Sequence, residues 1–322
     1  MNRKNVLTFL LFALLIIIIC SAILPVFSLQ NNKSIASYGT INYSGLSSPI
    51  ATPTPTPELT PTPTPTPTTT SQPTGKYVGF RYNDETSTYN VPQWGMNYWL
   101  SVANRYVSLV SGSTAVAQWI LPESTAVNFN QAMDNALSIL DSNGVYVFLQ
   151  PGEDTWGEAD PYQYDLGYLI DVTLANYGHH PCVIGIGFDL EMRGANWRTY
   201  VYTTDAEATQ WVDKVKSYNS NHKLFLKHWD QAVMPPTVRN GIVFVDDSQG
   251  FSSLSSMVAE FRAWGNSFSG AEVGFGVGYA TDQWWWSQLS NPPRDVAQAL
   301  FDNIPNAKWV YWVNFSIHEV FP

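Results

Sequence analysis

Cysteine is almost absent. The 322 residues hold two, Cys20 and Cys182, and Cys20 sits in an apolar N-terminal run. No disulfide can therefore form within the chain beyond that run, so a domain there has to be held by its core alone. Cys182, among apolar neighbours, reads as a buried strand residue, because the sequence indicates no partnering His for a catalytic thiol. Basic charge is scarce as well: Lys and Arg number 16 against 26 Asp and Glu, for a formal net charge of −10. Only Arg3, Lys4, Lys33 and Glu58 fall in the first 75 residues, which leaves 13 basic and 25 acidic side chains in residues 76–322. An acidic domain repels the phosphate backbone whose counterions a nucleic-acid binder must release, and that class is excluded. Docking on an anionic membrane surface is disfavoured for the same reason. No Gly-rich phosphate loop follows the first apolar β-type run, which argues against a doubly wound nucleotide-binding sheet.

What is present divides the chain into three. Residues 6–27 carry no charge, and such a run exceeds the about 7–15 apolar residues of a signal-peptide core and reaches the about 20 of a spanning helix. Residues 1–28 are therefore a signal peptide or a membrane anchor. Arg3 and Lys4 on the cytoplasmic side place everything after them outside the cell, secreted or tethered, and the membrane is met only through this segment. Residues 48–75 are almost wholly Thr, Pro and Ser. Proline fixes φ and removes donors, so 29–75 is expected to be a disordered, extended Pro/Thr-rich linker. All 13 Trp lie from Trp94 to Trp312, in the remaining domain.

In that domain, apolar β-branched and aromatic runs recur at 77–82, 114–120, 145–150, 182–190, 223–229, 242–246, 272–279 and 309–315. Amphipathic stretches at 98–110, 129–140, 164–177, 205–218, 254–264 and 293–303 predict helices between them, while 231–240, with Pro235 and Pro236, is too short for one. Near-continuous apolar strands alternating with helices indicate a parallel sheet buried on both faces. Eight such units make residues 76–322 an α/β protein of the single (β/α)8 TIM-barrel class, whose chemistry sits at the C-terminal ends of the strands. Those ends supply Arg81, Trp119, Gln150, Asp189 with Glu191, His228 with Trp229, Asp246 with Asp247, Tyr279 and Trp312, besides Asp84, Glu85, Glu153 and Asp154. His179-His180 precedes strand four at the other end and reads as a solvated turn.

Strand four carries the sharpest signal. Read with period two, Ile184, Ile186, Phe188 and Leu190 form a face for the helices, and Gly185, Gly187, Asp189 and Glu191 form the inner face. Two carboxylates so close cannot both ionise cheaply; one pKa should rise, and a carboxylic acid with a raised pKa can protonate a leaving oxygen. Tryptophans near the mouth, Trp119, Trp229, Trp312 and the run Trp284-Trp285-Trp286, offer faces on which sugar rings stack.

At residues 184–191 the chain resembles family 18 glycoside hydrolases, whose fourth strand reads D-G-x-D-x-D-x-E, and more distantly the lysozyme-like barrels of family 25. The resemblance implies Glu191 as general acid and Asp189 as the residue that orients it and the substrate's acetamido group. Ile184 and Gly187 stand where the family has its first two aspartates, and Phe244-Val245-Asp246-Asp247 replaces M-x-Y-D on strand six. The resulting expectation is an exported glycosidase acting on extracellular or cell-surface polysaccharide. Glu191, Asp189 and Asp247 are its catalytic residues, and Arg81, Trp119, Gln150, His228, Trp229, Asp246, Tyr279 and Trp312 line the substrate. No cofactor and no metal ligand set is implied, since no H-x-H or H-x-x-E-H spacing accompanies His228 and Asp230. A barrel that binds carbohydrate without cleaving it and a metal-dependent polysaccharide hydrolase or deacetylase are the alternatives.

Overall fold

Each strand pairs in parallel with the next in chain order, and the eighth returns to the first, so the sheet closes on itself. The computed structural model describes residues 75–82, 94–152, 164–193 and 201–322. The proposed anchor or signal, the linker up to residue 74, and Asp84, Glu85, Glu153 and Asp154 lie outside the described residues. Among the described residues no helix is long and apolar enough to cross a membrane.

The strands are β1 (Lys76–Tyr82), β2 (Ser113–Leu121), β3 (Tyr146–Pro151), β4 (Val183–Asp189), β5 (Lys223–Lys227), β6 (Ile242–Asp246), β7 (Glu272–Val277) and β8 (Ala307–Trp312). Nine α-helices accompany them among the described residues: α1 (Met96–Leu109), α2 (Glu123–Val127), α3 (Gln131–Asn143), α4 (Leu166–Tyr177), α5 (Asp205–Tyr218), α6 (Leu254–Ser267), α7 (Gln283–Trp286), α8 (Pro292–Asn303) and α9 (Ile317–Val320). The (β/α)8 expectation holds. The stretch at 231–240 is irregular as expected, with one 3-10 turn at Gln231–Val233.

Alternation along each strand sorts two cores. Outward residues pack under the helices: Phe80 stacks on Trp99 of α1 with ring centroids 5.0 Å apart, and Tyr82 meets the same indole edge-on at 5.2 Å. Inward residues fill the barrel, with Tyr77, Val116, Phe148, Ile184, Phe225, Val243, Val245, Trp309 and Tyr311 as one buried cluster. Tyr77 lies flat on Trp309 at 3.8 Å. Each fully buried side chain of this size contributes about 1.5–3 kcal/mol.

Trp119 and Trp312 belong to the outward layer, and this corrects their assignment to the substrate cleft. Both are fully buried. Trp119 packs edge-on against Tyr82 at 4.5 Å, while Trp312 crosses Trp286 at 5.4 Å and donates its Nε1–H to Ser316 Oγ at 3.0 Å. Gln118 and Tyr311, one residue earlier on each strand, take the inward positions, so period two itself sends the indoles toward the helices.

Strand four departs from simple alternation too. Val147 pairs with Val183 but Phe148 pairs with Gly185, a register shift that leaves Ile184 as an extra residue. Gly185 sits at φ 155, and a Cβ there would lie 1.9 Å from the Lys223 carbonyl oxygen, so the bulge requires glycine. Ile184 consequently turns into the barrel, while Ile186, Phe188 and Leu190 keep the helix-facing side. The room beside Gly187 is occupied: its missing Cβ is replaced by the Phe225 ring, whose Cδ1 lies 2.2 Å from where that Cβ would stand.

Candidate active site

β4 ends at Asp189, and Glu191 lies on a 3-10 turn, Leu190–Met192, instead of continuing the strand. Asp189 makes that turn: its Oδ1 accepts the Glu191 N–H at 3.1 Å, a local cap that satisfies a donor the ended sheet leaves open. The turn brings Glu191 over the next strand. There Lys227, the last residue of β5, points inward two positions after Phe225. Its ammonium is 2.6 Å from Asp189 Oδ2, 2.8 Å from Glu191 Oε1 and 2.6 Å from Asp247 Oδ2. Asp247 follows β6 directly, and Tyr279, just past β7, donates its hydroxyl to Asp247 Oδ2 at 2.9 Å. Gly276 on β7 leaves the space in which Asp247 sits, since a Cβ there would come within 3.0 Å of the Asp247 Cβ.

Four strands thus converge on one buried cation, and Lys227 is the residue that the sequence analysis did not assign. Burial alone would push its ammonium toward neutrality, but Asp189, Asp247 and Glu191 override this and hold its pKa well above the ordinary lysine value. The acids respond unequally. Glu191 is raised well above the usual carboxylate range, first by burial and then by the charges of Asp189 and Asp247, against which Lys227 works. For Asp247 burial also acts upward, yet the Lys227 charge and hydrogen bonds from Lys227, Glu191 and Tyr279 outweigh it, and its pKa is lowered. The two carboxyls are thus pushed in opposite directions, Glu191 toward its protonated form and Asp247 toward its charged one.

A cavity of about 420 Å³ opens on this cluster, lined by Glu191, Trp229, Asp247, Ser248, Gln249 and Glu260. Trp229 is 36% exposed and supplies an indole to it. Asp246, one residue before Asp247, faces the other way. It lines an adjoining cavity of about 340 Å³ with Trp229, Asp230, Glu260 and Trp264, and burial raises its pKa to about 8. His228 is buried, accepts the Asp230 N–H on Nδ1 at 2.8 Å, and is lowered by burial to about 4, so it stays neutral.

The other assigned residues occupy the inner wall. Arg81 is buried, with its guanidinium 5.4 Å from the Phe315 ring centroid, and its charge reaches Tyr279. Gln150 is fully buried and accepts from Gln118 Nε2. Of the tryptophan run on α7, Trp285 and Trp286 are buried and Trp284 is 58% exposed. A further cavity of about 430 Å³, lined among others by Arg105, Trp286 and Pro292, touches neither Lys227 nor its carboxylate partners.

No protein-family model matches the chain, and no curated protein matches it in sequence. Solved structures that resemble it include glycoside hydrolases. A β-D-glucuronidase of Dictyoglomus thermophilum is 11% identical with a TM-score of 0.42, over 74% of this chain and 43% of that one. A GH5-4 broad specificity endoglucanase from an uncultured bacterium is 12% identical with a TM-score of 0.43, over 76% of this chain and 89% of that one. A β-mannanase of Streptomyces thermolilacinus is 15% identical with a TM-score of 0.43, over 74% of this chain and 78% of that one. The chain spans 43% of the length of the glucuronidases it matches. Barrels of other chemistry, among them a D-psicose 3-epimerase with a TM-score of 0.38, match as well.

Proposed function

We propose that the chain is an exported glycoside hydrolase acting on extracellular or cell-surface polysaccharide, with Glu191 as general acid. The observation that carries this reading is that Glu191 and Asp247 share one buried ammonium, at 2.8 and 2.6 Å, in surroundings that push the Glu191 carboxyl upward in pKa by burial and the Asp247 carboxyl downward through Lys227. In the proposed step the Glu191 proton passes to the glycosidic oxygen, the bond from that oxygen to the anomeric carbon breaks, and the Asp247 carboxylate stabilises the positive charge left on the sugar. Asp189 is a positioning residue, acting through the Glu191 backbone N–H and through Lys227. Trp229 is the stacking surface.

Asp247 is suited to stabilising charge more than to attacking carbon. Its Oδ2 is committed to Lys227 and Tyr279, and its Oδ1 is buried. Glu191 Oε1 and Asp247 Oδ2 lie 2.8 and 2.6 Å from one nitrogen, which holds them closer together than the roughly 6.5–9.5 Å between carboxyls that admits a water in inverting enzymes. A substrate that supplies its own nucleophile satisfies both constraints: its 2-acetamido carbonyl oxygen bonds the anomeric carbon as the protonated leaving group departs, and water then replaces that leaving group, attacks the anomeric carbon, breaks the bond to the acetamido oxygen and returns a proton to Glu191. This agrees with the strand-four resemblance to family 18. The preferred substrate is accordingly a polymer containing N-acetylhexosamine.

One observation favours a barrel that only binds glycan: Lys227 is closed over all three carboxylates, as in a purely structural ion network. Hydrolysis of a glycan panel by the full chain, beside its Glu191→Gln variant, separates the two. Product release by the parent and not by the variant supports the hydrolase; retention of glycan with no product from either supports the binder.

A further inference from the structure

A second cluster of ligating side chains lies at the opposite end of the barrel, where the turn before β4 meets α3. The sequence reading of His179-His180 as a solvated turn holds for His179, which is exposed, and is corrected for His180, which is only 6% exposed. Asp134 and Asp141 stand two turns apart on one face of α3, and the His180 ring bridges them, with Nδ1 2.8 Å from Asp141 Oδ2 and Nε2 3.0 Å from Asp134 Oδ1. His179 Nε2 approaches the same Asp134 oxygen at 3.4 Å. All three ligating atoms, from Asp134, His179 and His180, lie within 4.8 Å of one another.

We propose that Asp134, His179 and His180 form a structural site for a divalent cation of the zinc class, which ties α3 to the entry of β4. The His180–Asp134 and His179–Asp134 separations, 3.0 and 3.4 Å, bracket the edge of about 3.3 Å that a tetrahedron with bonds of about 2.0 Å requires. Two imidazoles and one carboxylate suit zinc, nickel or copper and not the all-oxygen preference of magnesium or calcium. Asp141 supplies the outer contact that orients a ligating imidazole: one oxygen holds His180 Nδ1, leaving Nε2 toward the site, while the other accepts the Cys182 N–H at 2.6 Å. Cys182 itself is no ligand, because its buried thiol turns toward α3 and donates to the Leu137 carbonyl. His179, with a side chain 53% exposed, leaves the fourth position open to water. The site faces away from the cavity at Glu191, and bottom-face sites on this fold serve stability.

Calorimetric titration of the full chain with Zn²⁺ tests this, with thermal unfolding followed on the same samples. One equivalent bound, with a raised unfolding midpoint that a chelator reverses, is the expected result. His179→Ala removes an exposed ligand without opening the core and should weaken binding at least about tenfold, as should Asp141→Asn through loss of the orienting contact. Glu191→Gln should leave the titration unchanged. The proposal is overturned by the absence of saturable binding at one equivalent, or by binding that is indifferent to His179→Ala or is lost with Glu191→Gln.

Discussion

Lys227 Nζ lies 2.6 Å from Asp247 Oδ2, in a pair that is almost entirely buried. Neighbouring strands β5 and β6 bring the two together, and the same ammonium holds Asp189 and Glu191. An amine kept far above its ordinary pKa has no free lone pair near neutrality, so Lys227 acts in this site as a charge and not as a Schiff-base nucleophile. Its charge lowers the Asp247 pKa against the effect of burial and opposes the burial that raises Glu191.

Replacing the cation with an apolar chain of similar length therefore exposes the acids to one another. Lys227→Met should destabilise the domain by about 3–5 kcal/mol near pH 7, the usual cost of stranding buried charge. In the parent, the lowered Asp247 pKa contributes stability above the unfolded carboxylate value, and this is lost as pH falls through the folded value. In Lys227→Met the charge that lowers Asp247 is gone and burial acts on it unopposed by that ammonium, so the deficit should shrink on acidification as Asp247 takes up a proton. Denaturant unfolding at pH 7 and pH 4.5 checks this, and an equal deficit at both contradicts it.

Asp246 gives a pH dependence of opposite sign. Burial raises its pKa from 3.8 to about 8, so the folded state binds a proton that the unfolded chain releases. Its contribution is full below the unfolded value and declines as pH rises from about 4 to about 8. With each unit worth 1.36 kcal/mol, the span from 3.8 to about 8 is on the order of 5 kcal/mol. Asp246→Asn should therefore be more stable than the parent at pH 8.5 and lose that advantage below pH 5, as read from unfolding midpoints across pH.

The tryptophans divide by where they face. Trp229→Ala should raise KM for a glycan substrate with little change in unfolding midpoint, because its indole is partly exposed at the cavity. Trp119→Ala and Trp312→Ala should each cost about 3–5 kcal/mol of stability, the usual loss for a buried aromatic. Parallel unfolding and kinetic measurements on the three variants distinguish the roles.

The barrel was legible because strands buried on both faces read as apolar runs, and the helices between them keep a 3.6-residue period. The same double burial hides which residues face inward. From Ala115 to Leu121 nearly every residue is buried, so only Gln118 marks the phase and Trp119 could be placed on either side. Asp246 and Asp247 present the same ambiguity at the end of β6. In β4 the glycine bulge reverses Ile184, which alternation cannot reveal. Lys227 escaped because its partners Glu191 and Asp247 stand 36 and 20 residues away. A lysine alternating inward with Phe225 and Lys223 is a signal only once a charge inside a barrel is taken to demand acids from neighbouring strands.

The coupled pair Asp189 and Glu191 yields the decisive kinetic test of the proposed chemistry. Glu191→Gln keeps the size and hydrogen-bonding capacity of the side chain but removes its proton, so folding and glycan binding should persist while turnover falls by a factor on the order of 10²–10⁴. Asp189→Asn should also slow turnover, since Asp189 sets the turn that carries Glu191 and helps to place Lys227. It should in addition move the pH profile. The Asp189 charge raises the Glu191 pKa; without it Glu191 ionises at lower pH, and the basic limb shifts downward. A role confined to packing would lower the rate at every pH and leave the limb in place. Because both residues act on one proton, the double variant should be impaired far less than the product of the single effects. Full turnover in Glu191→Gln, with binding intact, would remove Glu191 from the chemistry.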